Sequence, residues 1–226
     1  MERLNLSGKA LLLYRNDQIE KLVKLIKKAK KKSRSDTVHK IRTTIRRLNI
    51  LMNKKEIKKL MKVLGKERDS HVAQELAHSF GLSEKKIKRK NKTLRESSHK
   101  EIKTFDLKVL QLNDDPRIIL RFKRAMRQLT LELDKFSPHS LNDNKMHQFR
   151  ILLKKIRYGL EAIGESNPQI EEMQDHLGKV HDIDVLQKMK GKKEILEITK
   201  KLMIEDIQQL YSTIYKLMHK KLNAIQ

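Results

Sequence analysis

The chain has 226 residues, with 53 lysines and arginines against 28 acids and a formal net charge of +25. Such an excess opposes compaction by self-repulsion and points to a polyanionic partner: nucleic acid, an anionic membrane or a phosphate polymer. The absence of cysteine excludes disulfides, iron–sulfur clusters and thiolate zinc sites, and no apolar run approaches the roughly 20 residues of a membrane span. The hydrophobic content of 38% still supports a sizeable core. The first residues, Met1-Glu2-Arg3-Leu4, lack the basic-then-apolar order of a signal peptide. The expectation is a soluble, cytoplasmic protein.

With 7 glycines and 3 prolines lying between apolar-periodic segments, the pattern favours long helices over sheets. A first helix is predicted over about Ser7–Lys32, with Leu11, Leu22, Leu25, Ile26 and Ala29 among its apolar positions. Ser35-Asp36 reads as the cap of a second helix reaching about Met52. A third spans about Lys54–His78 and is broken by Gly81; a very basic fourth runs from Ser83 to about Leu112. Asn113-Asp114-Asp115-Pro116 reads as a midpoint turn with proline at a first helical position. A fifth helix extends to about Lys135, and a sixth covers about Asn142–Ile163. Pro168 opens a seventh, and a last helix beyond Gly191 ends near Ala224. Eight helices with short connections predict an all-α fold of two pseudo-symmetric four-helix bundles, 1–113 and 114–226, within one domain over 1–226.

The halves are predicted to be copies because two ordered landmarks recur. Val38-His39-Lys40-Ile41-Arg42-Thr43-Thr44-Ile45-Arg46-Arg47-Leu48 returns as Met146-His147-Gln148-Phe149-Arg150-Ile151-Leu152-Leu153-Lys154-Lys155-Ile156, so that His39 matches His147. Leu64-Gly65-Lys66-Glu67-Arg68-Asp69-Ser70-His71-Val72 returns as Leu177-Gly178-Lys179-Val180-His181-Asp182-Ile183-Asp184-Val185.

On a wheel of about 100° per residue, Val38, Ile41, Ile45, Leu48 and Met52 share a sector of about 80°. His39, Arg42 and Arg46 form a cationic stripe about 110° away. In the second copy His147, Arg150, Lys154 and Arg157 form a stripe displaced in the same rotational sense from Met146, Phe149, Leu153, Ile156 and Leu160. Arg47 and Lys155 fall opposite the apolar sectors and read as solvent-facing charges. Glu161 is the only acid found on either stripe. Two readings stand for one copy alone: surface charges paired with acids of neighbouring helices, or an anion site. The matched repetition favours a site, with both stripes lining one central basic groove if the bundles face each other. Arginine offers forked donors to phosphate, lysine a point charge, and histidine a ring N–H.

His-x-x-Arg-x-x-x-Arg-Arg-Leu followed by Leu-Gly-x-x-x-Asp-x-x-Val, given twice, resembles the CHAD family, the conserved-histidine α-helical domains. The resemblance covers nearly the whole chain. It implies two pseudo-symmetric four-helix bundles that bind inorganic polyphosphate in a basic central groove. It carries the ligand-facing role to His39, Arg42 and Arg46, and to His147, Arg150, Lys154 and Arg157. Association with polyphosphate granules goes with that reading. Two departures make the halves unequal: Asn49 stands where the second copy has Arg157, and Lys154 replaces the more usual arginine. Asp69 and Asp182 are motif positions too; acids repel phosphate, so they are expected to hold cations or backbone.

Lys21, Lys24 and Lys28, and Arg117, Arg121 and Arg124, form further helical stripes, read either as groove extensions or as solvated faces. The runs Lys27–Lys32 and Lys85–Lys92 read as solvated helix ends and faces. His181-Asp182-x-Asp184 resembles a metal set, but its match Arg68-Asp69-x-His71 does not, and no metal or other cofactor is expected. Relatives of the resembled family carry a triphosphatase signature, Glu-x-Glu-x-Lys, which is absent here, as are a P-loop and clustered carboxylates. A binding module is therefore expected rather than an enzyme. The alternative is an RNA- or DNA-binding basic protein, disfavoured by an aromatic content of 4% without tryptophan. Membrane-surface attachment lacks an exposed Trp/Phe/Leu face. The sequence leaves the oligomeric state open.

Overall fold

The computed structural model describes residues 7–52, 54–110, 116–136, 143–190 and 194–225. Among them the regular structure is helical throughout: α1 Gly8–Lys31, α2 Ser35–Leu48, α3 Lys55–Ser79, α4 Lys85–Thr104, a 3-10 turn Leu107–Leu110, α5 Ile118–Leu133, α6 Asp143–Glu161, α7 Pro168–Lys190 and α8 Glu194–Ile225. The expected all-α class is what is found. No helix among the described residues is long and apolar enough to cross a membrane.

The chain packs as two compact units. One comprises Asn16–Asn113 with Asp182–Lys193; the other comprises Met1–Arg15, Asp114–His181 and Glu194–Gln226. The units therefore do not follow the expected 113/114 division throughout, because α1 and α7 each contribute residues to both.

In the unit built on 16–113, α3 packs on α2 and α4. Its core joins Leu22 and Ile26 of α1, Ile41, Ile45 and Leu48 of α2, Ile57, Leu60 and Leu64 of α3, and Ile102 of α4. In the other unit α5 packs on α6 and α8. Phe149 is the hub there, its ring 5.5 Å from Phe136 and 5.0 Å from Tyr211. Phe149, on the predicted apolar sector of α6, is fully buried, as is Phe122 of α5.

Several helix ends differ from their predicted positions. Helix α2 stops at Leu48 rather than Met52, and the chain tightens into a turn in which the Leu51 amide bonds only three residues back, to the Leu48 carbonyl. Leu51 is 2% exposed, so an apolar residue of the turn packs on the core and mimics a continuing helix. Ser35-Asp36 does not cap α2: the N-cap is Arg34, in extended conformation, without a side-chain cap bond. Helix α4 ends at Thr104 instead of Leu112, and Asp106 Oδ1 accepts the Lys108 amide to start the 3-10 turn. Pro116 and Arg117 form a turn ahead of α5, so proline is not at the first helical position. Pro168 does open α7, with the Asn167 side chain accepting the Ile170 amide at 3.1 Å. Gly81 and Gly164 adopt φ of +64° and +78°. Each lies in a helix-terminating turn in which the next amide, Leu82 or Glu165, bonds five residues back.

Two lysines have structural roles. Lys30, within the basic run of α1, donates to the Phe105 carbonyl at 2.9 Å and caps the end of α4. Lys54 donates to the Val109 carbonyl at 2.6 Å, fastening the 3-10 turn.

The α2 seam sets the stability of the unit that holds it. Ile45→Ala, at a position with 0% exposure, should cost about 2–5 kcal/mol in urea unfolding. Lys103→Ala, exposed on α4, should change stability by less than about 0.5 kcal/mol.

Candidate anion-binding site

Helix α2 buries Val38, Ile41, Ile45 and Leu48 and thereby fixes the orientation of its cationic stripe. His39 is exposed, Arg46 half-buried, and Arg42 only 8% exposed. Arg42 lies at the seam, where Asp69 of α3 approaches its Nη2 to 3.9 Å. That is an ion contact too long for a hydrogen bond, and it places Asp69 in the cation-holding role expected of it.

His39 is electrostatically joined to the stripe. Burial holds its imidazole below the ordinary value of 6.5, and the guanidinium groups of Arg68, Arg42 and Arg46 reinforce the effect; Asp36 opposes it. Desolvation and like charge both disfavour imidazolium. His39, Arg42 and Arg46, predicted together, are therefore brought together, and Arg68 of α3 joins them. Arg68 also reaches Glu75 at 3.6 Å.

In the other unit the arrangement recurs on α6 and α7. His147 is exposed, and Arg150, Lys154 and Arg157 are half-buried. The His147 ring lies 5.0 Å from that of His181 on α7. His181 is the sequence match of Arg68, so in both units the motif histidine faces a basic side chain of the following motif helix. Arg157 Nε meets Glu171 Oε1 at 3.4 Å. Its acid thus comes from α7, a source that a wheel of α6 alone could not show. Asn49, in the position of Arg157, instead donates to the Met61 sulfur at 3.7 Å.

The glycines of the second motif lie against the motif arginines. A Cβ on Gly65 would lie 3.7 Å from Arg42 Nη2, and one on Gly178 would lie 4.0 Å from Arg150 Nη2. Glycine inside a helix costs roughly 0.5–1 kcal/mol relative to alanine. At both positions an alanine Cβ would make an ordinary contact, whereas a larger side chain would enter the guanidinium's space.

Arg68 and His181 were missed as site residues in the sequence. The available signal was their position three residues after the motif glycines, hence on the same helical face. Lys155, read as solvent-facing, is half-buried and donates to Glu132 of α5 at 3.2 Å. Arg47 is also half-buried rather than solvent-facing. For Lys155 the cover comes from α5, which lies against the face opposite the seam. Of the further stripes, Lys21 pairs with Asp17 at 2.6 Å and Lys24 with Glu20 at 4.0 Å, while Lys28 is exposed. Arg117, Arg121 and Arg124 are exposed on and just before α5. Asp182, the match of Asp69, is half-buried on α7. Among the described residues no group of three or more His, Asp or Glu side chains is placed to hold a metal ion.

Comparison with known proteins gives a family match and two structural ones. The model of the CHAD domain family matches residues 14–190. PptA from Streptomyces chartreusis is similar in structure, with a TM-score of 0.60 and 13% identity over 96% of this chain and 99% of that one. The CHAD domain from the plant Ricinus communis superposes with a TM-score of 0.56 and 14% identity, over 100% of this chain and 94% of that one. A comparison with curated protein sequences finds no match.

Two outcomes are expected. Gly65→Ala should raise the melting temperature, because the added Cβ makes an ordinary contact and helix propensity improves; Gly65→Leu should lower it by filling the Arg42 space. For His39, folding favours the neutral ring. Its stabilising contribution is present above pH 6.5 and is lost as pH falls through the lower folded value. An NMR titration should find the His39 midpoint below 6.5, and His39→Gln should flatten the acid-side decline in stability.

Proposed function

The chain belongs to the CHAD domain family, and from that membership and the two charge clusters we propose that it binds inorganic polyphosphate. The observation that carries the reading is the recurrence, within each unit, of a motif histidine beside a basic residue of the next helix and a motif arginine beside that helix's glycine. Like charges concentrated at matched places are relieved by an external anion. The ligand-facing residues in this reading are His39, Arg42, Arg46 and Arg68, with His147, Arg150, Lys154, Arg157 and His181. Arginine forks bind phosphate oxygens in pairs, and the chain binds phosphate without transforming it. A location in the cytoplasm, at polyphosphate granules, belongs to the same proposal.

The placement of aromatics favours a phosphate polymer over nucleic acid. None of the 5 phenylalanines and 4 tyrosines is exposed. Single-stranded recognition stacks bases on accessible rings, and this surface supplies cations without such rings.

The test is a competition at fixed salt, since both ligands weaken with salt through counterion release. Polyphosphate should bind more tightly than single-stranded RNA at equal phosphate concentration. Replacing Arg42 and Arg46 by alanine should weaken polyphosphate binding, as should replacing Arg150 and Lys154. The loss should be up to about 1.5–3 kcal/mol per contact. Alanine at Lys103 and Lys216, exposed on α4 and α8, removes the same formal charge and should cost far less. Equal losses from the control pair, or displacement of polyphosphate by RNA, would replace a located site with general attraction to a basic surface.

A further inference from the structure

Helix α4 carries a charge pattern that the fold does not use. Seven of the eleven residues from Lys85 to Arg95 are lysine or arginine, all of them exposed, and none is an acid. The helix buries only Ile87, Ser98 and Ile102, whereas the shorter α2 buries seven residues. Two of the cations have structural partners: Lys88 meets Glu84 at 3.3 Å, and Arg95 donates to the Ser33 carbonyl at 3.1 Å. Among the described residues no acid pairs with Lys85, Lys86, Arg89, Lys90 or Lys92. The basic run of α1 is different in kind. Its Lys28, Lys30 and Lys31 occupy the last turn, where the helix dipole favours cations, and Lys30 caps α4. The α4 run begins in a first turn without an acid, where the dipole opposes it. Its cations also stand three and four residues apart, so that neighbouring turns repel each other. Folding gains nothing from this arrangement, and an external polyanion relieves it.

On a wheel of about 100° per residue, the buried Ile87, Ser98 and Ile102 share a sector of about 60°. Arg89 lies opposite, at the crest. Lys86 and Lys90 fall about 60–100° to one side of it, and Lys85, Lys92 and Lys88 about 40–100° to the other. The cations thus cover both flanks of the helix as well as its crest. We propose that this half of α4 binds double-stranded DNA, lying in the major groove with its flanks against the phosphates of the two walls. A helix with its side chains is about 10–12 Å across and the groove about 12 Å wide, so both flanks reach phosphate. A membrane plane would meet the crest alone, and the exposed face has no large apolar side chain to insert, Leu94 being half-buried. A single phosphate chain would follow one flank at a time. Duplex RNA presents a major groove too narrow for a helix. Duplex binding needs no exposed aromatic ring, so the lack that disfavours single-stranded recognition is neutral here. Asn91, the amide on this stretch able to read a base edge, is half-buried and donates to the Gln74 side chain. Binding therefore runs through phosphates, with little dependence on base sequence. This site is separate from the polyphosphate reading, which concerns α2 and α6.

The experiment measures binding of a short mixed-sequence DNA duplex to the full chain by fluorescence anisotropy across a salt series. Lys86→Gln, Arg89→Gln and Lys90→Gln combined should weaken binding by about tenfold or more at about 0.1 M salt and lower the salt slope by about 2–3. Glutamine keeps the helix propensity and removes repulsion, so this variant should melt no lower than the wild type. Lys201→Gln, Lys216→Gln and Lys220→Gln combined, at exposed positions of α8, removes the same formal charge and should leave the slope close to that of the wild type. Lys85→Gln with Lys92→Gln should lose affinity, and so should Lys86→Gln with Lys90→Gln, because both flanks bear phosphate. Arg42→Ala with Arg46→Ala should bind duplex as the wild type does. Equal losses in the α8 control, or a single strand of the same sequence bound as tightly as the duplex, overturns the inference. So does a loss confined to one flank, or a defect of the α4 variant seen on phosphatidylserine vesicles and not on duplex. Loss of duplex binding in the Arg42 and Arg46 variant would move the DNA to the α2 stripe and also overturns it. Loss of polyphosphate binding in that variant bears on the functional reading and leaves this one in place.

Discussion

Cations on one side of a helix repel one another, and the motif helices hold theirs there because the adjoining side is buried. On α2 the apolar seam of Val38, Ile41, Ile45 and Leu48 fixes the helix rotation. Arg42 then has no exposed alternative and lies at 8% exposure beside Gly65. Burial makes its charge more valuable to a ligand, since water screens it less, and more costly in the absence of one. Asp69 on α3 limits that cost without neutralising the stripe. The seam and Asp69 thus act together on one side chain: an arginine held nearly dry beside a single exposed acid.

The all-helical class, most helix positions and the identity of the two motif helices were legible in the sequence. Sparse glycine and proline left little else possible, and the repeated spacing drew attention to the same face twice. Helix ends were less legible. Leu51 shows why: periodicity reports burial, and a turn residue folded onto the core is buried at the same spacing as a helical one. Side-chain caps were over-read at Ser35, since a capping residue type does not ensure capping geometry. Partners across helices were hidden for a different reason. A wheel describes one helix, whereas Arg157–Glu171, Lys155–Glu132 and His147–His181 depend on which faces meet. Arg68 is visible as a repeat position, but its match with His181 shows no shared chemistry until the facing helices are known.

The two repeats also differ in a patterned way. Where the first has Asn49, the second has Arg157, and the extra cation is met by Glu171 from α7. Glu171 matches Lys58, an exposed lysine on α3. The apparent gain in the second stripe is therefore largely offset locally. Conversely, Arg68 carries a permanent charge in the first site, and its match His181 carries one only when protonated. Glu67, buried on α3, has Val180 as its match. Counting motif cations makes the second site the stronger by one; accounting for their neighbours makes the first site the more permanently charged. Glycine lies opposite arginine in both units, while the surrounding charges differ. Geometry at the seam is constrained by packing that tolerates few alternatives, whereas charges around it can be exchanged in compensating pairs. The two sites thus share the glycine–arginine contact but not the charges around it.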